Sequence, residues 1–233
     1  MAYKLKSRRE IDLMRAAGRL VHEVLHRLKE MVQPGVTTGE LDAEAERLCR
    51  QAGAECLFKG VPGVGGPFPG NICCSINEQV VHGIPGRREI QTGDLVSIDF
   101  GARLKGYCGD AALTVPVGEV NGDRARLVET TRRMLSIAVE MSTPGKKWSE
   151  VASAMQECAE AEGFGVVRKF VGHGIGTEMH EEPKVPNFVS EAILRHDIVL
   201  REGLVLAVEP MVNMGTPDVE LERDGWTVER VAR

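Results

Sequence analysis

The chain has 233 residues, 42% hydrophobic and 27% charged, with a formal net charge of −5. That length can bury a sizeable core, and that balance reads as a soluble globular protein. The small acidic excess excludes a broad basic field, and with it sequence-independent nucleic-acid binding as the main task; no apolar run approaches the ~20 residues that span a bilayer.

The N-terminus, Met-Ala-Tyr-Lys-Leu-Lys-Ser-Arg-Arg-Glu, lacks the apolar core of a signal peptide, so a cytoplasmic location is expected. Six cysteines (49, 56, 73, 74, 108 and 158), none in Cys-x-x-Cys spacing, read as reduced thiols. Ser7 and Glu10 fit a capping box that opens a helix running to about Val32, with Ile11, Met14, Val21, Leu25 and Leu28 as its apolar stripe. Gln33-Pro34-Gly35 ends it, and a second helix from near Thr38 turns Leu41, Ala45 and Leu48 inward and stops at Gly53.

Residues 54–71 are glycine- and proline-rich and read as loop; no Gly-Lys-Ser/Thr follows, which excludes a phosphate-cradling loop. Ile72–Ile76 reads as a short strand, Asn77-Glu78 as a turn and Val80–Pro85 as extended chain. Asp94–Phe100 is a buried strand with an acid at its end. A third helix is predicted from Asn121 to about Met141, and a fourth from a Ser149 cap to Gly163. Strands follow around Val166–Val171 and Val205–Val212.

A shift of 110 residues lays Pro34-Gly35 on Pro144-Gly145, Glu40 on Glu150, Gly53 on Gly163, Gly93 on Gly203 and Asp99 on Glu209. An offset held across helix and strand predicts two α+β halves, about 1–115 and 116–233, related by pseudo-symmetry and sharing one sheet within a single domain; the repeat is too long for a solenoid.

Phe170–Pro183 holds His173 and His180 among Gly172, Gly174 and Gly176. By itself it is either a loop with two solvated imidazoles or a segment built for close approach to a ligand. The carboxylates decide between them. Leu95, Ser97 and Asp99 share one strand face, and a four-residue loop Arg103–Gly106 would set Asp99 directly opposite Asp110, with Cβ atoms ~4.5–5.5 Å apart. Two such carboxylates repel unless a cation or proton lies between them. With Glu209 repeating Asp99 in the other half, a metal site is expected, and oxygen ligands with one imidazole and no thiolate suit Mn²⁺, Fe²⁺, Co²⁺ or Zn²⁺.

Asp99, Asp110, His173 and Glu209, with His82 in Ser-Ile-Asn-Glu-Gln-Val-Val-His-Gly-Ile-Pro and the run Gly-His-Gly-Ile-Gly-x-x-x-His-Glu-Glu-Pro, resemble the type I methionine aminopeptidases. The similarity extends from about residue 4 to Val228. The absence of a long insertion in the second half points to type I rather than type II, and the lack of an N-terminal zinc-binding extension to the bacterial form. The resemblance implies the pita-bread fold, whose halves share a curved antiparallel sheet with helices on its outer face. It also implies a two-metal peptidase that takes the initiator methionine from nascent chains by attack of a metal-bound hydroxide.

In that reading Asp99 chelates the second metal, Asp110 bridges both, and His173 and Glu209 bind the first. Divalent ions of the Co, Mn, Fe, Zn or Ni class are implied, up to two per chain. Glu209 also handles the proton, while His82 and His180 hold the substrate amide and stabilise the tetrahedral intermediate. Phe68, Cys73, Met179 and Trp226 match the walls of the methionine pocket. The expected partners are nascent polypeptide N-termini and the ribosome, with no direct nucleic-acid or membrane contact, and the expected state is a monomer.

One departure is visible. The family continues past Asp-Gly-Trp-Thr-Val with strands carrying Glu-His-Thr, whose glutamate bridges both metals. Here Asp224–Val228 is followed only by Glu229–Arg233, and no residue matches that glutamate. A weak second metal site is therefore expected, and a catalytically weakened or silent module that binds peptides or partner proteins is the alternative to an active enzyme. A proline-directed peptidase of the same fold is the rival within the family, and it usually brings an extra N-terminal domain.

Overall fold

The computed structural model describes residues 3–231. In chain order the elements are α1 (Arg8–Met31), α2 (Thr38–Gln51), β1 (Glu55–Cys56), β2 (Cys73–Ile76), β3 (Gln79–Val81), β4 (Leu95–Leu104), β5 (Tyr107–Pro116), α3 (Gly122–Met141), α4 (Trp148–Ala161), β6 (Phe164–Val166), β7 (Gly172–Gly174), β8 (Glu181–Val185), α5 (Glu191–Arg195), β9 (Leu206–Ala207), β10 (Val212–Met214), β11 (Val219–Leu221) and β12 (Val228–Arg230). No helix among the described residues is long and apolar enough to cross a membrane.

The chain divides into two compact units, one of Asp12–Ala125 with Glu220–Glu229, the other of Met1–Ile11, Arg126–Val219 and Arg230–Arg233. The change-over near residue 115 suggested by the repeat thus falls at Ala125, inside α3. The segment before α1 belongs with the later unit, and the Glu220–Glu229 segment with the earlier one.

In the earlier unit α1 buries Met14, Val21, Leu25 and Leu28 of the expected stripe together with Ala17, Leu20 and Val24, while Ile11 stays half-buried. Helix α2 opens on a capping box between Thr37 and Glu40 and buries Leu41, Ala45 and Cys49, with Leu48 only half-buried beside them. Both helices pack on a sheet centred on β4, which carries β5 along one edge and β1 and β2 along the other, all antiparallel. Ile98 and Phe100 on β4 and Ile72, Cys74 and Ile76 around β2 fill the core between them. In the later unit α3 and α4 enclose a second core around Trp148, Met134 and Met155, next to the antiparallel pair β10-β6 and the sheet β8-β7-β9.

The offset of 110 recurs bond for bond. Gly35 N donates to Ile90 O and Gly145 N to Leu200 O; Ile90 N donates to Val36 O and Leu200 N to Lys146 O; Thr38 N donates to Arg88 O and Trp148 N to Ile198 O. Each unit therefore clamps the entry to its second helix onto a later strand-like segment, and the bridges Thr37↔Glu89 and Lys147↔Val199 repeat the same spacing.

Four local expectations are corrected. The β4–β5 hairpin turns over two residues, Lys105 and Gly106, both with positive φ, the turn that matches strand twist. Its register therefore pairs Asp99 with Ala112 and Asp110 with Gly101. Helix α4 begins at Trp148 rather than after a Ser149 cap. The Ser149 hydroxyl donates instead to Asp197, because the fully buried Trp148, whose Nε1 donates to Pro186 O at 2.8 Å, starts the helix two positions earlier. The strand expected over Val166–Val171 is two pieces, since β6 pairs with β10 while β7 joins β8 and β9, and the chain changes sheet between them. The strand expected over Val205–Val212 is likewise split into β9 and β10 around Pro210, which has no N–H to give a ladder.

Trp148→Ala is expected to cost about 3–5 kcal/mol, read as a lower urea midpoint with an unchanged slope.

Candidate metal centre

Each unit presents one set of the residues singled out in the sequence. In the earlier unit, Asp99 on β4 and Asp110 on β5 are diagonal neighbours on one sheet face rather than directly opposed. Ser97 and Thr114 are paired on the same face with hydroxyls 2.8 Å apart. Cys73 on β2 is the cross-strand partner of Asp99 and is buried. Burial pushes its thiol well above the usual range, and the nearby charges of Asp99 and Asp110 push it further. The thiol is thus held protonated beside two acids, a neutral sulfur and no thiolate ligand.

His82 lies just past β3 with φ +59, a backbone state uncommon for a residue with a side chain. The next residue holds it there: a Cβ on Gly83 would overlap the Cys74 carbonyl, and Gly83 N donates to Ser75 Oγ at 3.0 Å while its own carbonyl accepts from Cys74 N. The His82 ring meets the edge of Trp226, centroids 6.4 Å apart, and Phe68 meets Trp226 in a T-shaped contact at 5.0 Å. Phe68 is buried and Trp226 half-buried.

The indole of Trp226 donates to Gly66 O at 3.0 Å. A Cβ on Gly63 would strike its ring, and one on Gly65 the carbonyl of Asp224. The glycine-rich segment that the sequence shows only as loop is therefore the seat of Trp226. From below, Asp224 accepts from Trp226 N, Thr227 N and the Thr227 hydroxyl.

In the later unit, His173 is the central residue of β7 and is buried. The glycines flanking it are required: a Cβ on Gly172 would overlap the Ala207 carbonyl and one on Gly174 the Glu182 carbonyl. The glycine-rich run is thus the central strand of a three-stranded sheet followed by a short turn into β8, which neither of the two readings left open by the sequence had as a strand. His173 Nδ1 lies 2.8 Å from the Gly174 carbonyl oxygen. That oxygen can only accept, so Nδ1 carries a proton and Nε2 is the nitrogen turned toward the carboxylate. Nε2 points at Glu209 Oε1, 3.2 Å away.

A lone pair and a carboxylate oxygen so placed need a cation between them, a proton or a metal ion. Glu209 lies two residues beyond β9 and is half-buried, and its carbonyl accepts from Asn187 Nδ2. The exposed His180 stacks obliquely on His173, ring centroids 4.3 Å apart, with the half-buried Met179 before it.

One feature of this hairpin had no sequence signal. Lys6, 6% exposed, pairs with Glu181 at 2.5 Å, and the other oxygen of Glu181 accepts from Thr177 N at 2.9 Å and Glu178 N at 3.3 Å. Burial would push the Glu181 carboxyl up, but the Lys6 ammonium and the two backbone N–H groups outweigh it and hold it below the usual range.

Carboxylates and one imidazole, without thiolate, make up a donor set for a borderline divalent ion of the kind hydrolases use. Comparison with known proteins agrees. The model of metallopeptidase family M24 matches residues 12–230. Methionine aminopeptidase 1 of Bacillus subtilis is 44% identical over 223 residues, covering 96% of this chain and 87% of that protein. The crystal structure of methionine aminopeptidase from Thermotoga maritima superposes with a TM-score of 0.92 at 37% identity, over 99% of this chain and 90% of that one. Prolidase from Pyrococcus furiosus gives 0.75 at 26% identity, over 88% of this chain and 57% of that one. The chain belongs to metallopeptidase family M24, with the bacterial methionine aminopeptidases, and has their pita-bread fold.

Burial raises the Asp224 carboxyl, but the bonds from Thr227 and Trp226 hold it below its ordinary value. A depressed folded pKa contributes stability that is present above the unfolded value of about 4 and lost as pH falls through the folded one. Trp226 fluorescence, isolated by Trp148→Phe, is therefore expected to change only below about pH 4, whereas Asp224→Asn should show the altered signal at neutral pH.

Proposed function

We propose that this protein removes the N-terminal methionine from peptides and nascent polypeptides with the help of divalent metal ions. The observation that carries the reading is the coordinating nitrogen of His173 aimed at the Glu209 carboxylate, in a chain of the M24 family. By the family reading, Asp110, His173 and Glu209 would hold the first ion. Asp99, diagonal to Asp110, would bind a second with Asp110 shared. The first ion thus draws on three of these side chains and the second on two, so the second binds more weakly. The metal is of the Mn, Fe, Co, Ni or Zn class, all compatible with these donors. When bound, such an ion lowers the pKa of a water molecule and polarises a carbonyl.

The remaining work falls to the chain itself. Glu209 takes and returns the proton. His82 and His180 hold the scissile amide and donate to the oxygen that becomes negative. Phe68, Cys73, Met179 and Trp226 wall the methionine pocket. The T-shaped pair of Phe68 and Trp226 and the neutral Cys73 sulfur support this, since aromatic edges and sulfur suit a thioether. The six free thiols accord with work in the cytoplasm, where nascent chains emerge.

The test uses a Met-Ala-Ser peptide with added Mn²⁺ or Co²⁺. The native chain is expected to release methionine, and His173→Ala to abolish release. The same ions should raise the native chain's stability by about 2.7 kcal/mol at 100 times Kd and leave His173→Ala unshifted. Methionine release by His173→Ala at the native rate would overturn the assignment. Asp99→Asn is expected to keep the tighter binding step in calorimetry and lose the weaker one.

A further inference from the structure

We infer that Lys6 and Glu181 form a positioning pair that sets His180 against His173. The inference rests on the reading above that His180 contacts the substrate. Lys6 comes from the short segment before α1, which belongs to the later unit. Its backbone is fixed, with Lys6 N donating to Gly203 O at 2.6 Å, and its side chain is only 2% exposed. A cation so enclosed needs a partner, and Glu181 is that partner.

Each Glu181 oxygen has its own task. Oε2 takes the Lys6 ammonium. Oε1 takes the amides of Thr177 and Glu178 and so closes residues 177–181 into a ring around the carboxylate. His180 lies inside that ring and is itself exposed. Glu181 is also the cross-strand partner of Gly174, the residue next to His173. The carboxylate thereby winds the curl that carries His180, and the backbone of the same residue joins that curl to the strand that carries His173. A Cβ on Gly176 would collide with the Glu181 carboxylate, so the curl is wound tightly on it. Without the pair, the loop keeps its strands but loses the support that holds the His180 ring 4.3 Å from that of His173.

The test uses the full chain with Lys6→Met, Glu181→Gln and His180→Ala. Lys6→Met and Glu181→Gln are expected to lower kcat for Met-Ala-Ser by about 10–100-fold, as removal of supporting partners does. KM and the affinity for Mn²⁺ should change less than about threefold. Added to His180→Ala, Lys6→Met should cost nothing more, since both act through one imidazole. Amide exchange at Thr177 and Glu178 is expected to speed by about tenfold or more in both single variants, with the α4 amides unchanged. Unchanged exchange at those two amides, or the same loss of kcat with and without His180, would overturn the inference. Should Lys6→Met not fold, Glu181→Gln, which keeps the side chain's shape but loses the charge that holds Lys6 and strengthens the amide bonds, decides. If the native chain itself released no methionine, the proposed function would fail, and the exchange measurement would still decide the role of the pair.

Discussion

An imidazole nitrogen 3.2 Å from a carboxylate oxygen needs a cation between the two, a proton or a metal ion. The ring cannot escape by turning, because its other nitrogen is committed to the Gly174 carbonyl and its Cα is locked in β7 between strands on both sides. Nor is Glu209 free to drift, with its backbone tied to Asn187 and Pro210 ending its part of the ladder. Everything around the pair holds two electron-rich atoms toward a common point. A protein that supplies that geometry in advance spends folding energy on it and recovers the energy when a cation arrives.

The scaffold obtains this rigidity by using one device twice. In each unit a turn before the second helix is hydrogen-bonded to a segment some fifty residues later, through the same three backbone bonds at an offset of 110. The device ties the entry of each second helix to that later segment. Where the two copies differ, the differences follow local packing. Thr37 caps α2 with its hydroxyl, whereas Lys147 holds the same place before α4 without a side-chain cap bond, and the buried Trp148 beside it supplies the anchor instead.

Much of this was legible because it depends on parity and local chemistry. The face shared by Asp99 and Asp110 survives an error in the hairpin loop, since shortening the turn from four residues to two moves the register by two and the side-chain period is two. The capping box at Ser7 and the stripe on α1 are likewise written within a few residues. The glycines of β7 were misread because the usual penalty for glycine in a strand is outweighed by neighbouring backbone that leaves no room for a Cβ, a fact that exists only in three dimensions. The Lys6–Glu181 pair joins residues far apart along the chain, and Lys-Leu-Lys before a helix looks like any solvated start. Similarly, nothing near Gly63 announces that its missing side chain makes room for Trp226.

Backbone strain separates the structural from the functional in the earlier unit. Among the described residues, three other than glycine have positive φ: Asn77, Lys105 and His82. Asn77 sits in the short turn between β2 and β3, and Lys105 in the hairpin turn of β4 and β5, where strand twist demands that conformation. His82 lies beyond the end of β3 and closes no hairpin, so turn geometry does not account for it. The strain, of order 1–3 kcal/mol for such positions, is instead imposed by Gly83 docking against Cys74 and Ser75. Its result is to set the His82 imidazole against Trp226, itself in contact with Phe68. An extended residue at this position would point its side chain elsewhere. The strain is therefore the means by which a polar ring is placed against the aromatic pair of Trp226 and Phe68.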